Sequence, residues 1–104
     1  MIDEEKARAI AVAYLETLPV RRRCELAIQD EHTREEDFGW VFFYNSKAFI
    51  ETGDTAFGLG GNGPLIVDRV TGEVVMTGTA FPVAHYIEYY RLHRTMAGVH
   101  GRRS

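Results

Sequence analysis

Hydrophobic positions along this chain change their period twice, and each change predicts an element. Over residues 4–18, Ala7, Ile10, Ala11, Tyr14, Leu15 and Leu18 recur at spacings of three and four, the mark of a helix with one buried face. Asp3 suits its N-cap, acidic residues fill its first turn and Pro19 ends it. The pattern then switches to alternation. Cys24, Leu26 and Ile28 alternate with Glu25, Ala27 and Gln29, which predicts a half-buried strand. The polar run "DEHTREED" at 30–37 predicts a turn, and "FGWVFFYNS" after it is the strongest strand signal in the chain. Alternation there puts Phe38, Trp40, Phe42 and Tyr44 on one face and Val41 and Phe43 on the other. Both faces are apolar, so the strand is placed centrally, and "AFIETG" predicts a further short strand running to Gly53.

The second half repeats the alternation and then returns to helical spacing. Leu65–Val70 and Glu73–Thr77 flank a turn at Thr71-Gly72 and predict a hairpin. Pro82 suits a helical N1 position with Thr79 or Phe81 near the cap, and Val83, Tyr86, Ile87 and Tyr90 form the buried face of a helix that fades by Met96. The predicted fold class is α+β: an N-terminal helix, an antiparallel sheet of four to five strands and a C-terminal helix. Residues 1–96 read as one domain and 97–104 as a flexible basic tail.

Composition narrows the function classes. The chain has 104 residues, 45% hydrophobic and 26% charged, which is a single ordinary globular domain. Net charge is −3; the first 37 residues carry ten acids against six bases, whereas residues 91–104 carry four arginines and no acid. That balance argues against a dedicated nucleic-acid binder, which shows a broad basic face. One cysteine, Cys24, excludes an internal disulfide framework and a cysteine-rich zinc site. The acidic start "MIDEEKARAI" is unlike a signal peptide, and no apolar run approaches the ~20 residues of a membrane span, so a cytoplasmic protein without membrane contact is expected.

Each motif that could carry chemistry also has a structural reading. Gly58, Gly60 and Gly63 fit the dinucleotide fingerprint G-x-G-x-x-G, but Pro64 and a strand follow them where a helix N-terminus is required. The glycines are read as a wide connection, and no cofactor is expected. His85 and Glu88 share a helix face, but His32, His93 and His100 do not converge on them, so no metal is expected. Cys24 follows Arg21, Arg22 and Arg23, which favours a thiolate, yet its parity with Leu26 and Ile28 favours a buried structural role. The arginine run is read as a solvated turn. Asp68 is read as a carboxylate accepting backbone hydrogen bonds in the hairpin turn rather than as a catalytic acid. With no nucleophile–base arrangement, the chain reads as non-enzymatic.

What remains is a surplus of aromatic residues, twelve in all. Tyr44, Phe57, Tyr89 and Tyr90 are the candidates for a protein-binding surface, because such surfaces favour aromatic side chains. The segments "FGWVFFYNS", "GDTAFGLGGNGPLIVDRVTGEV" and "TGTAFPVAHYIEYYR" resemble the immunity protein 35 family, also called the YrhB domain, over roughly residues 5–92. The likeness is most specific at Gly39-Trp40, at "GNGPLIVDR" with Thr71-Gly72, and at "GTAFP". It implies an α+β fold and a non-enzymatic immunity protein that binds and neutralises a cognate toxin of a bacterial polymorphic toxin system. The alternative it carries is a small heat-inducible chaperone that binds unfolded clients. Under the first reading, Glu35, Glu36, Asp37, Tyr44, Phe57 and Tyr89 are the expected partner-binding residues, the acids steering a basic toxin.

Overall fold

The computed structural model describes residues 1–22, 24–59 and 63–99. In chain order the elements are α1 (Glu4–Leu15), β1 (Leu26–Ile28), β2 (Arg34–Glu36), β3 (Gly39–Phe42), β4 (Tyr44–Ser46), α2 (Lys47–Thr52), β5 (Leu65–Asp68), β6 (Val74–Met76) and α3 (Val83–His93). The predicted class, α+β with a helix at each end of the strands, is the one observed. Among the described residues the strands number six and form two antiparallel sheets, a four-stranded one in the order β2-β3-β5-β6 and a two-stranded β1-β4 ribbon. The single sheet expected from the sequence is therefore corrected to two.

The split occurs inside the aromatic run whose alternation predicts one strand. At Phe43 the chain leaves the main sheet; its carbonyl accepts from Gln29 N at 2.7 Å and Tyr44–Ser46 then pair with Leu26–Ile28. The "AFIETG" stretch is helix α2, not a strand. Ser46 caps it by accepting from Phe49 N at 3.0 Å, and Gly53 ends it in the left-handed region at φ 73°. The polar run at 30–37 is also more than a turn, since Arg34–Glu36 form edge strand β2 along β3. Helix α1 starts at the predicted cap, where the Asp3 carboxylate accepts from Lys6 N at 2.9 Å, but it ends at Leu15, earlier than the spacing suggested. The β5–β6 hairpin stands as predicted. In α3, Pro82 occupies the N-cap rather than N1, and Arg94 ends the helix at φ 56°.

The four-stranded sheet lies between α1 and α3, with a core on each side. Trp40, Phe42, Leu65 and Val67 meet Ala7, Ala11 and Leu15 of α1. Val41 and Ile66 meet Ile87 and Tyr90 of α3. Every residue from Gly39 to Phe42 and from Leu65 to Asp68 is buried, as a central pair covered on both faces requires. Phe38 breaks the predicted alternation: it belongs to the α3 side, apart from Trp40, Phe42 and Tyr44. The cause is Gly39, whose φ of 152° turns the chain between Phe38 and Trp40 so that one aromatic serves each core. A Cβ at Gly39 would stand 2.0 Å from the Val67 carbonyl oxygen, a contact no rotamer can relieve because the Cβ position is fixed by the backbone and the oxygen is itself backbone.

Gly39→Ala is therefore expected to cost ~3 kcal/mol or more, combining a φ that L-residues avoid with a backbone clash. The Gly53→Ala change, where open space surrounds the position, is expected to cost about 1 kcal/mol. Urea midpoints of the two variants at equal m-value check the ranking; equal losses would refute the account of Gly39.

Candidate partner-binding surface

The three predicted acids lie at and just beyond edge strand β2, and the structure holds them from both faces of the sheet. Arg69, directly after β5, donates to Glu35 Oε2 at 3.0 Å and to the Glu36 carbonyl at 2.8 Å while its guanidinium lies 4.6 Å from the Trp40 ring centroid. On the opposite face Arg91 of α3 bonds Glu36 and Glu88 and donates to Asp37 Oδ1 at 3.1 Å, 5.6 Å from the Phe38 ring. Arg34 adds a third cation, 3.0 Å from Glu36 Oε2. Each arginine over a ring gains cation–π attraction as well as ion pairing. Four carboxylates thus meet three guanidiniums, and the acidic run presents far less free charge than its sequence suggests.

Tyr44 is 5% exposed and packs in the α1-side core, so it offers no face to a partner. Tyr90 is buried as well. Alternation on a two-sided apolar strand does not resolve the side of Tyr44, whereas helical spacing already places Tyr90 on the buried face of α3. Tyr89 is half-buried, and its hydroxyl donates to the Ala97 carbonyl. His85 Nε2 lies 3.3 Å from the Val99 carbonyl, so the segment after α3 folds back along the helix, with Val99 buried. His100 and the rest of the predicted tail lie outside the described residues.

Phe57 is 50% exposed and stands apart from the β2–α3 surface. It lines an open groove of about 450 Å³ together with Cys24, Glu25, Lys47, Ala48 and Glu51. The local sequence builds this wall. The Ser46 hydroxyl donates to the Phe57 carbonyl at 2.5 Å, Asn45 Oδ1 accepts from Leu59 N at 2.8 Å, and Asp54 caps the short turn 55–57 by accepting from Ala56 N at 2.9 Å. Glu25, Lys47 and Glu51 carried no motif in the sequence; the β1–β4 pairing and the turn into α2 bring them together. Cys24 is half-buried with its thiol 3.8 Å from the Val20 carbonyl. Arg23 and the glycine-loop residues Gly60, Gly61 and Asn62 lie outside the described residues. No three His, Cys, Asp or Glu side chains converge on a metal-sized site among the described residues, and none of their helices is long and apolar enough to cross a membrane.

Asp68 has the role its sequence context predicted, and a further one. Its Oδ1 accepts from Val70 N at 2.8 Å and Thr71 N at 3.1 Å, which closes the hairpin turn. Oδ2 accepts from the Tyr90 hydroxyl at 2.9 Å and from Arg94 Nη1 at 3.1 Å, which ties that turn to α3. Burial alone would raise the Asp68 carboxyl, but the two backbone N–H groups, the phenol and the guanidinium together hold it below the ordinary carboxylate range. Burial and the Asp68 bond push the Tyr90 phenol up.

The family model described as Immunity protein 35 matches residues 5–91. The chain belongs to the immunity protein 35 family. It is 39% identical over 61 residues to the uncharacterized protein YrhB of Escherichia coli (strain K12), a match that covers 59% of this chain and 65% of that protein, just under two thirds of its length. No solved structure matches.

The depressed Asp68 carboxyl makes stability depend on acid. Folding favours its charged form, so its contribution is complete above the unfolded value of ~3.9 and is lost as pH falls from there through the lower folded value. Asp68→Asn is expected to lower stability at pH 7 by roughly 2 kcal/mol and to flatten the acid limb below about pH 4. Urea unfolding at pH 7 and pH 3 for both proteins checks this; an unchanged acid limb in the variant would assign the dependence to other groups.

Proposed function

We propose that this protein is a non-enzymatic immunity protein, acting in the cytoplasm, that binds a cognate toxin of a bacterial polymorphic toxin system and silences it by covering its active surface. Membership of the immunity protein 35 family across residues 5–91 carries the reading. The contact is assigned to the surface where β2 meets α3, with Glu35 and Asp37 the accessible acids, Glu36 set behind them, and half-buried Tyr89 the aromatic candidate on α3. Phe57, on the separate groove, supplies a second apolar contact for a partner large enough to span both. Because Arg34, Arg69 and Arg91 offset most of the acidity, steering by this surface is modest and affinity rests on fit.

Tagged protein recovered from its native cells, followed by mass spectrometry, tests the reading. One stoichiometric partner carrying a C-terminal toxin domain is the expected result, and co-expression should then restore growth to cells making that domain. A broad set of heat-labile clients would replace the inhibitor with the chaperone alternative. With the partner in hand, Glu35→Lys is expected to slow association less than about tenfold at low salt, because Arg69 already neutralises that carboxylate. Stopped-flow association at two ionic strengths reads the effect; a loss of a hundredfold or more would show that the acid is a direct, desolvated contact.

A further inference from the structure

The two edges of the four-stranded sheet are built in opposite ways. β2 is Arg34-Glu35-Glu36, fully charged and overlain by arginines, which is how proteins blunt an edge against strand addition. β6 is Val74-Val75-Met76, with no charge, proline or glycine. The hydrogen-bond alternation shows which of its backbone groups are used. Asp68 N donates to Glu73 O and Thr77 N donates to Pro64 O, so residues 73, 75 and 77 face β5. Val74 and Met76 therefore turn their N–H and C=O groups outward, and these four groups have no hydrogen-bond partner among the described residues. The flanks are apolar too: Met76 is 37% exposed, Val70 62% and Phe81 38%.

We propose that β6 is a self-association edge that pairs antiparallel with β6 of a second copy of this chain about a two-fold axis at Val75. The strand is its own complement in this register. Val74 of one copy faces Met76 of the other, so the four outward groups on each copy satisfy each other in N–H···O bonds, and Val75 faces Val75. Glu73 meets Thr77 across the axis, so no like charges are opposed. The axis also carries Val70 of each copy toward the 79–81 stretch of the other, where Phe81 is exposed. The product is one eight-stranded sheet whose outer edges are both the charged β2. Three-residue strands make a small interface, so the dimer is weak and forms at high concentration. This inference is independent of the toxin-binding reading, and its test uses the chain alone.

Sedimentation velocity and residue-resolved amide exchange on the wild-type chain, at about 10 μM and about 1 mM, test the pairing. The mass should rise toward twice the monomer value, while the Val74 and Met76 amides slow about threefold or more at the higher concentration and the Val75 amide, already bonded to β5, changes far less. Met76→Lys should weaken association at least ~10-fold by placing a charge on the exposed edge. Met76→Pro removes an outward N–H that the monomer does not use and should do the same; circular dichroism identifies a variant that is unfolded, in which case the Lys variant and the wild-type exchange decide. A monomer at 1 mM overturns the proposal. So does a dimer in which the Val74 and Met76 amides stay fast.

Discussion

A single buried carboxylate connects the parts of this fold that local sequence would leave separate. Asp68 is 3% exposed, and an unpaired charge at such a site would cost several kcal/mol. Four donors from two directions remove that cost: two backbone N–H groups of its own turn, a phenol and a guanidinium of the α3 region. Its neighbours depend on the arrangement. Tyr90 packs edge-on against Phe38, with ring centroids 5.0 Å apart, and Arg94 takes a left-handed backbone at the helix end while reaching the same carboxylate. With α3 seated in this way, Arg91 extends over Phe38 to Glu36 and Asp37 and completes the hold on β2.

The elements with one clean period were legible in the sequence. Both long helices, their buried faces and the β5–β6 hairpin follow from three-four spacing, alternation and the Thr71-Gly72 turn. Misreadings fall where one residue overrides a period. Gly39 inverts the face of Phe38, because a backbone at φ 152° is invisible to an alternation rule that treats every residue alike. Ser46 begins a helix where Phe49-Ile50 suggested a strand, and its cap bond to Phe49 N outweighs the β preference of so short a run. The departure of the chain at Phe43 depends on a partner more than ten residues away, Gln29, which no local pattern contains.

The candidate surface was legible in composition but not in arrangement. Glu35, Glu36 and Asp37 are conspicuous as a run, while their counter-ions come from Arg69 and Arg91, which are distant in sequence and show no local link to the acids. Tyr44 illustrates the complementary difficulty: a tyrosine at the end of an aromatic run reads as surface or core with equal ease, and the β1–β4 ribbon places it in the core. The groove beside Phe57 depends on pairing between segments about twenty residues apart, so only the folded chain reveals it.

The inverted backbone at Gly39 also bears on how this domain comes apart. Beyond it, consecutive residues of β3 and β5 enter opposite cores: Trp40, Phe42, Leu65 and Val67 one, Val41 and Ile66 the other. Peeling α1 or α3 from the sheet strips alternate side chains from the same two strands, and the exposed half cannot repack without disturbing the half that remains. The two helical layers are therefore bound into one cooperative unit. Opening on either side propagates through β3 and β5 to the other, and the domain melts as a whole rather than layer by layer.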